Sequence, residues 1–166
     1  HGHGPAMVMA ETRGCLHAFT RTETDPARML ELTHEVLSSN QHSHFVTMFL
    51  GCLEQNSRNL LYAAAGHEAY LFPNGGSPRT LESTGLPLGF GVSGYSWSSS
   101  GPHQFGVGDM LVIATDGFEE ARNSDGDFFG KERLIKVLAS HSAESATRVI
   151  ELLKDEVQQF AEGTYQ

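Results

Sequence analysis

Cysteine is scarce in this sequence, which has only Cys15 and Cys52 in 166 residues. Cys15 falls in a helical stretch and Cys52 in a strand, with no metal-type spacing between them, so a disulfide framework is not expected. Buried thiols in a reducing compartment are the expectation, and the cytoplasm is the default location. Cations are also few: 11 Lys and Arg stand against 20 Asp and Glu, a formal net charge of −9. That balance argues against nucleic acid, which calls for a basic face, and against an anionic membrane surface. No apolar run approaches the ~20 residues of a spanning helix, so no membrane insertion is expected, and no signal-peptide pattern opens the chain. Repeats, low-complexity segments and long linkers are absent too. The length therefore fits one domain, residues 1–166, with a sizeable core.

What is present is an ordered series of periodic segments. A helix is predicted from Pro5 to about Thr20, with Met9, Thr12, Leu16 and Phe19 along one face. Asp25-Pro26, a cap followed by proline, starts a second helix that runs to about Ser39 with Met29, Leu32, Val36 and Leu37 inward. Strands are expected over Phe45–Leu53, Asn59–Ala65, Glu68–Phe72, Pro78–Glu82 and Tyr95–Phe105. The first of these is apolar at odd and even positions, so both its faces should be covered. The serine-rich last one reads as an edge strand. Helices over about 131–140 and 144–161 close the chain, the latter with Ala146, Val149, Ile150, Leu153, Val157 and Phe160 on one stripe. Two helices, a block of strands and two helices predict an α+β fold with a helix–sheet–sheet–helix stack.

The most informative stretch is Met110-Leu-Val-Ile-Ala-Thr-Asp-Gly-Phe-Glu-Glu-Ala-Arg-Asn123. Its apolar start reads as a strand buried on both faces, ending in Thr115-Asp116-Gly117 so that a carboxylate sits at the tip. Gly117 would let the backbone turn there. Mg²⁺ and Mn²⁺ prefer such oxygens, although Asp also starts loops and caps helices, and both readings of Asp116 stand at this point. Around it lie His1-Gly2-His3-Gly4-Pro5, Phe45-Val-Thr-Met-Phe-Leu-Gly51, Ala63-Ala-Ala-Gly66-His67, Gly85-Leu-Pro-Leu-Gly89 and Asp125-Gly126-Asp127-Phe128-Phe129-Gly130. In this order the segments resemble the SpoIIE-type branch of the bacterial PPM (PP2C-like) serine/threonine phosphatases, over nearly the whole chain.

The resemblance implies a four-layer α-β-β-α sandwich and two hard cations, Mn²⁺ or Mg²⁺, bridged by a water that attacks phosphorus. Asp116 matches the metal-binding Asp of the Thr-Asp-Gly motif and is the expected catalytic and metal residue. His1 and Gly2 match the family's His-Gly and are expected to support the site. Glu120 matches an acidic position that orients the loop, and Gly66 with His67 is expected near the site. Two further ligand segments of the family, an Asp before the His-Gly and an Asp-Asp after the last helix, would lie outside residues 1–166.

Other acidic and histidine residues read differently. Asp109 is expected to be a turn residue, and Asp125 with Asp127 a plain turn rather than a calcium loop. His1 with His3, and His42 with His44, lack the companion ligands of a zinc site. The glycines and alanines at Gly2, Gly4 and Ala63–Gly66 suit either close approach to a ligand or tight helix-on-sheet packing.

Two functions follow from the resemblance. One is a phosphatase acting on a phosphorylated anti-sigma-factor antagonist, placed after a sensor or receiver domain. The other is a non-catalytic signalling or dimerisation module with an incomplete metal site. A homodimer through an unpaired sheet edge is a further expectation.

Overall fold

In the computed structural model, which describes residues 2–39, 44–92 and 94–162, the chain divides into two units. One comprises His1–Glu68 with Leu81–Phe105, the other Ala69–Thr80 with Gly106–Gln166. Each joins helices to antiparallel strands, in keeping with the α+β class.

The first unit opens with α1 (His3–Phe19) and α2 (Pro26–Ser39). Asp25 starts α2: its Oδ1 accepts the Ala27 N–H at 3.1 Å, and Pro26 supplies a helical φ at the first position. Pro26, Ala27, Met29, Leu30, Thr33, His34 and Leu37 are buried, the 3–4 spacing of one helical face. Leu32 and Val36, expected inward, are only half-buried. In α1 the buried residues are Val8 and Thr12, while Met9 is exposed instead of facing inward.

Strands β1 (Met48–Glu54), β2 (Asn59–Ala65) and β5 (Ser100–Gln104) form a sheet in the order β1-β2-β5. β1 and β2 pair antiparallel from Met48↔Ala65 to Glu54↔Asn59. Ala63 and Ala65, fully buried, join Ala27, Leu30 and Leu37 of α2 in one core with Leu88 and Trp97. Their methyl groups let the helix approach the strand, the tight-packing use of these small residues.

Two expectations for this sheet are corrected. β1 is not covered on both faces: its residues from Gly51 to Glu54, of both parities, are exposed, and the strand lies at the edge of its sheet. Cys52 is accordingly an exposed thiol rather than a buried one. Cys15 is half-buried, and burial followed by Glu11 pushes its thiol up from the ordinary range. The serine-rich strand is shorter than read, Ser100–Gln104, and does lie at the sheet edge.

In the second unit β4 (Arg79–Leu81), β3 (Ala69–Phe72) and β6 (Met110–Val112) form a sheet in the order β4-β3-β6. Helices α3 (Asp116–Glu119), α4 (Gly130–Ser140) and α5 (Ala146–Ala161) complete it. Ser145 caps α5 by accepting the Arg148 N–H, and Val149, Leu153 and Phe160 are buried along the helix. Ile150, expected on that stripe, is 51% exposed. The core gathers Tyr70, Phe72, Phe129, Leu134, Leu138, Val149, Leu153 and Phe160. β6 is shorter than read and is not buried on both faces: its residues are half-buried, and Ile113 beyond it is 52% exposed. Among the described residues it pairs only with β3, which places it at the edge of its sheet. Among the described residues no helix is long and apolar enough to cross a membrane.

Candidate functional site

The end of β6 leads through Ala114 into Thr115, which is extended (φ −82°, ψ 158°) and serves as the N-cap of α3. Asp116 is the first residue of that four-residue helix, and the Glu120 N–H closes the turn on the Asp116 carbonyl at 2.8 Å. Asp116, Gly117 and Glu120 are all exposed. The Asp116 carboxylate thus stands four residues beyond the end of β6, in solvent, on a backbone held by its own short helix.

Gly117 does not perform the turn expected of it. A Cβ there would meet only Thr115 Oγ1 at 3.7 Å, and its φ is not left-handed. Its contribution is lack of bulk beside the carboxylate. Next to it Glu119 accepts a 3.1 Å hydrogen bond from the buried Tyr70 hydroxyl, a tie to β3 that sequence pattern does not reveal.

The neighbouring acidic residues have structural tasks. Asn123 Oδ1 accepts the N–H groups of Asp125 at 3.1 Å and Asp127 at 2.8 Å, and Gly126 (φ +87°) completes a plain turn. Asp109 accepts from the Asn74 N–H and the Gly106 N–H, each at 2.8 Å, and so ties two loops together. The Asn74 amide first, then that of Gly106, hold its carboxyl below the usual carboxylate range. Because the folded-state value is lowered, this tie stabilises the fold above the unfolded carboxyl value and is lost as pH falls through the folded one. Acidification should therefore reduce hydrogen-exchange protection at Asn74 and Gly106. Asp109→Ala should produce the same loss at neutral pH.

In the first unit Gly66 ends β2 in a left-handed conformation (φ +63°). Its N–H is shared between Gly85 O at 2.9 Å and Ser83 Oγ at 2.8 Å. A Cβ at Gly66 would lie 2.7 Å from Pro87 Cγ, so both backbone and packing require glycine. One at Gly85 would lie 2.5 Å from the Trp97 ring. His67 follows as a half-buried residue between β2 and β3. Gly2 is the N-cap of α1 with φ +129°. His1 and His42 lie outside the described residues. A buried histidine that pattern reasoning passed over, His34, sits on α2 with its ring bonded to the loop after β4.

The donor set decides how far these residues fit a pair of hard cations. Asp116 offers the right chemistry, an exposed carboxylate. Among the described residues, however, no group of three or more His, Cys, Asp or Glu side chains could hold a metal ion. The described residues therefore do not by themselves form the two-cation centre that the resemblance implies.

Comparison with known proteins adds the following. The family described as Stage II sporulation protein E (SpoIIE) matches residues 1–166. Protein IcfG of Synechocystis is 30% identical over 123 residues, 74% of this chain and 19% of IcfG. Phosphoserine phosphatase RsbU of Bacillus subtilis is 28% identical over 153 residues, 90% of this chain and 45% of RsbU. The chain thus spans less than half the length of either relative. Among solved structures, the SiaA-PP2C domain of Pseudomonas aeruginosa superposes with a TM-score of 0.75 at 20% identity, covering 97% of this chain and 64% of that one. That likeness carries the fold, which is the PP2C-type phosphatase fold.

Proposed function

The chain belongs to the SpoIIE family, and on that premise we propose that it is the core of a phosphoprotein phosphatase domain acting on phosphoserine or phosphothreonine. The observation that carries this reading is the alignment with RsbU, a phosphoserine phosphatase, across 90% of the chain. The exposed Asp116 carboxylate beyond the end of β6 supports it from the side of geometry. In this reading Asp116 is a ligand of Mn²⁺ or Mg²⁺, and further carboxylates come from polypeptide other than the described residues. Gly117 keeps the space beside it open, and Glu120 closes the α3 turn that holds its backbone. His1, Gly2, Gly66 and His67 are assigned a supporting role by the family resemblance alone.

The substrate in this proposal is a phosphorylated anti-sigma-factor antagonist, and the domain follows a sensor or receiver in the whole protein. A cytoplasmic setting agrees with two free thiols. Homodimerisation would use one of the edge strands, β1 or β6.

The lack of a carboxylate cluster among the described residues favours one alternative, a non-catalytic module with this fold. The two are separated by assaying the longer protein that contains this chain for release of phosphate from a phosphoserine peptide, with and without Mn²⁺. Metal-dependent turnover is expected, and none in a folded, metal-loaded protein would sink the enzyme reading.

A further inference from the structure

His34 is 3% exposed, yet its ring is fully engaged. The Gly89 N–H donates to Nδ1 at 3.1 Å. Nε2 lies 3.0 Å from the Val92 carbonyl oxygen and 3.3 Å from Ser38 Oγ. The ring also tilts against Trp97, with centroids 5.1 Å apart.

These partners fix its protonation. An amide N–H can only donate, so Nδ1 must present a lone pair, and a carbonyl can only accept, so Nε2 must carry the proton. The neutral Nε2–H imidazole is the form that satisfies both ends. A second proton, on Nδ1, would set two N–H groups against each other and strip the Gly89 amide of its acceptor in a site closed to water.

We propose that His34 is a pH-sensitive latch: the neutral ring clamps the loop from Gly89 to Val92 onto α2, and the protonated ring releases it. Apart from His34, the segment is held by its own short turns, Gly91 N–H to Gly89 O at 3.0 Å and Val92 N–H to Phe90 O at 2.6 Å, and by an edge-on contact of Phe90 with Phe45. Leu88, just before it, is anchored by reciprocal N–H···O bonds with Val46 at 2.8 and 2.9 Å. Past that anchor Gly89 and Gly91 have left-handed φ values of +76° and +50°, and Phe90 and Val92 are 53% and 43% exposed. His34 thus supplies the side-chain tie between α2 and this segment.

None of the four groups touching the ring is charged. The ionisable side chains on α2 and the elements packed against it are Arg28, Glu31 and Glu35 of α2, His3, Glu11, Arg13, Cys15 and His17 of α1, Cys52 and Glu54 of β1, Tyr62 of β2, and His44 and Tyr95 beside the loop. Glu31 is paired with Arg28 at 2.8 Å, and none of these groups is among the ring's hydrogen-bond partners, Gly89, Val92 and Ser38.

Imidazole ¹⁵N NMR and amide hydrogen exchange on the whole chain test the latch. At neutral pH the Nε2–H tautomer is expected. As the pH is lowered until the ring takes up its second proton, the protection factor of the Gly89 amide should fall ~10-fold or more in step with that protonation, while that of Leu88 holds. His34→Gln retains a donor and an acceptor, so it should keep protection and lose the pH response. His34→Phe should lose protection at every pH, and if it does not fold, the wild-type titration and His34→Gln still decide. An Nδ1–H tautomer at neutral pH, a ring still neutral when acid unfolds the chain, or Gly89 protection indifferent to ring protonation would overturn the proposal.

Discussion

Asp116→Ala should lower metal-dependent phosphopeptide hydrolysis by roughly 10²–10³-fold in the longer protein, the scale of losing one group that stabilises developing charge. The fold should barely register the change. The structure uses the Asp116 carbonyl, which accepts the Glu120 N–H, while the side chain lies in solvent. Alanine is a better helix former than aspartate, and an exposed substitution of this kind stays within about 0.5 kcal/mol. Loss of turnover with an unchanged unfolding transition is therefore the expected pair of results. Asp125→Ala is the control, since that side chain sits in the exposed turn after Asn123 and should leave turnover unchanged. Equal activity in Asp116→Ala and wild type would reduce Asp116 to the first residue of a short helix.

Phe129→Ala should cost about 3–5 kcal/mol of stability, the range for emptying a buried aromatic site. Phe129 is 2% exposed, stands edge-on to Phe160 with centroids 5.5 Å apart, and packs with Tyr70, Phe72 and Leu134. Its N–H also donates to the Ala121 carbonyl at 2.8 Å, so the ring is anchored at its backbone and cannot move to fill space elsewhere. The neighbouring Phe128→Ala gives the contrast. That ring is 49% exposed and stacks under Arg122 at 4.1 Å, an interaction worth about 0.5–1 kcal/mol at an exposed position. Urea unfolding should show a large drop in midpoint for Phe129→Ala with the slope preserved, and a small one for Phe128→Ala. Similar losses in the two variants would mean that the inward ring has been misassigned.

The same pair of phenylalanines shows where sequence reasoning stops. Asp125-Gly126-Asp127 is readable as a turn because glycine and aspartate punctuate local backbone, but nothing in Phe128-Phe129 says which ring enters the core. That choice belongs to α4 and α5, which offer Leu134, Leu138 and Phe160 to one side only. Helix α2 was legible for the opposite reason, since Asp25, Pro26 and a 3–4 apolar spacing act within one helix. His34 on the same helix was not, because its partners Gly89 and Val92 lie 55 and 58 residues away. Helix α3 was missed because four residues are too short for any periodicity.

The site divides in the same way. Asp116 was visible as a carboxylate ending an apolar run, and the family resemblance gave it a chemical meaning. Gly66 was visible as a small residue and, through the family resemblance, as one expected near the site, but not as a position that requires glycine. That Pro87 lies 2.7 Å from where a Cβ would stand is a fact of the loop folding back over β2. Gly117 drew a conformational role from its place in the motif, and the observed backbone shows it has no such need.

By itself, then, the sequence determined what depends on neighbours along the chain: helix starts, turn chemistry, the approximate strand positions and the placing of Asp116 after an apolar run. Tertiary structure decided what depends on neighbours through space. It left Cys52 and Ile113 exposed, buried His34 and Phe129, and required glycine at Gly66 but not at Gly117. The physical reason is that capping and turn preferences act over three or four residues. Burial and close contact are set by whichever distant segment arrives to cover a face.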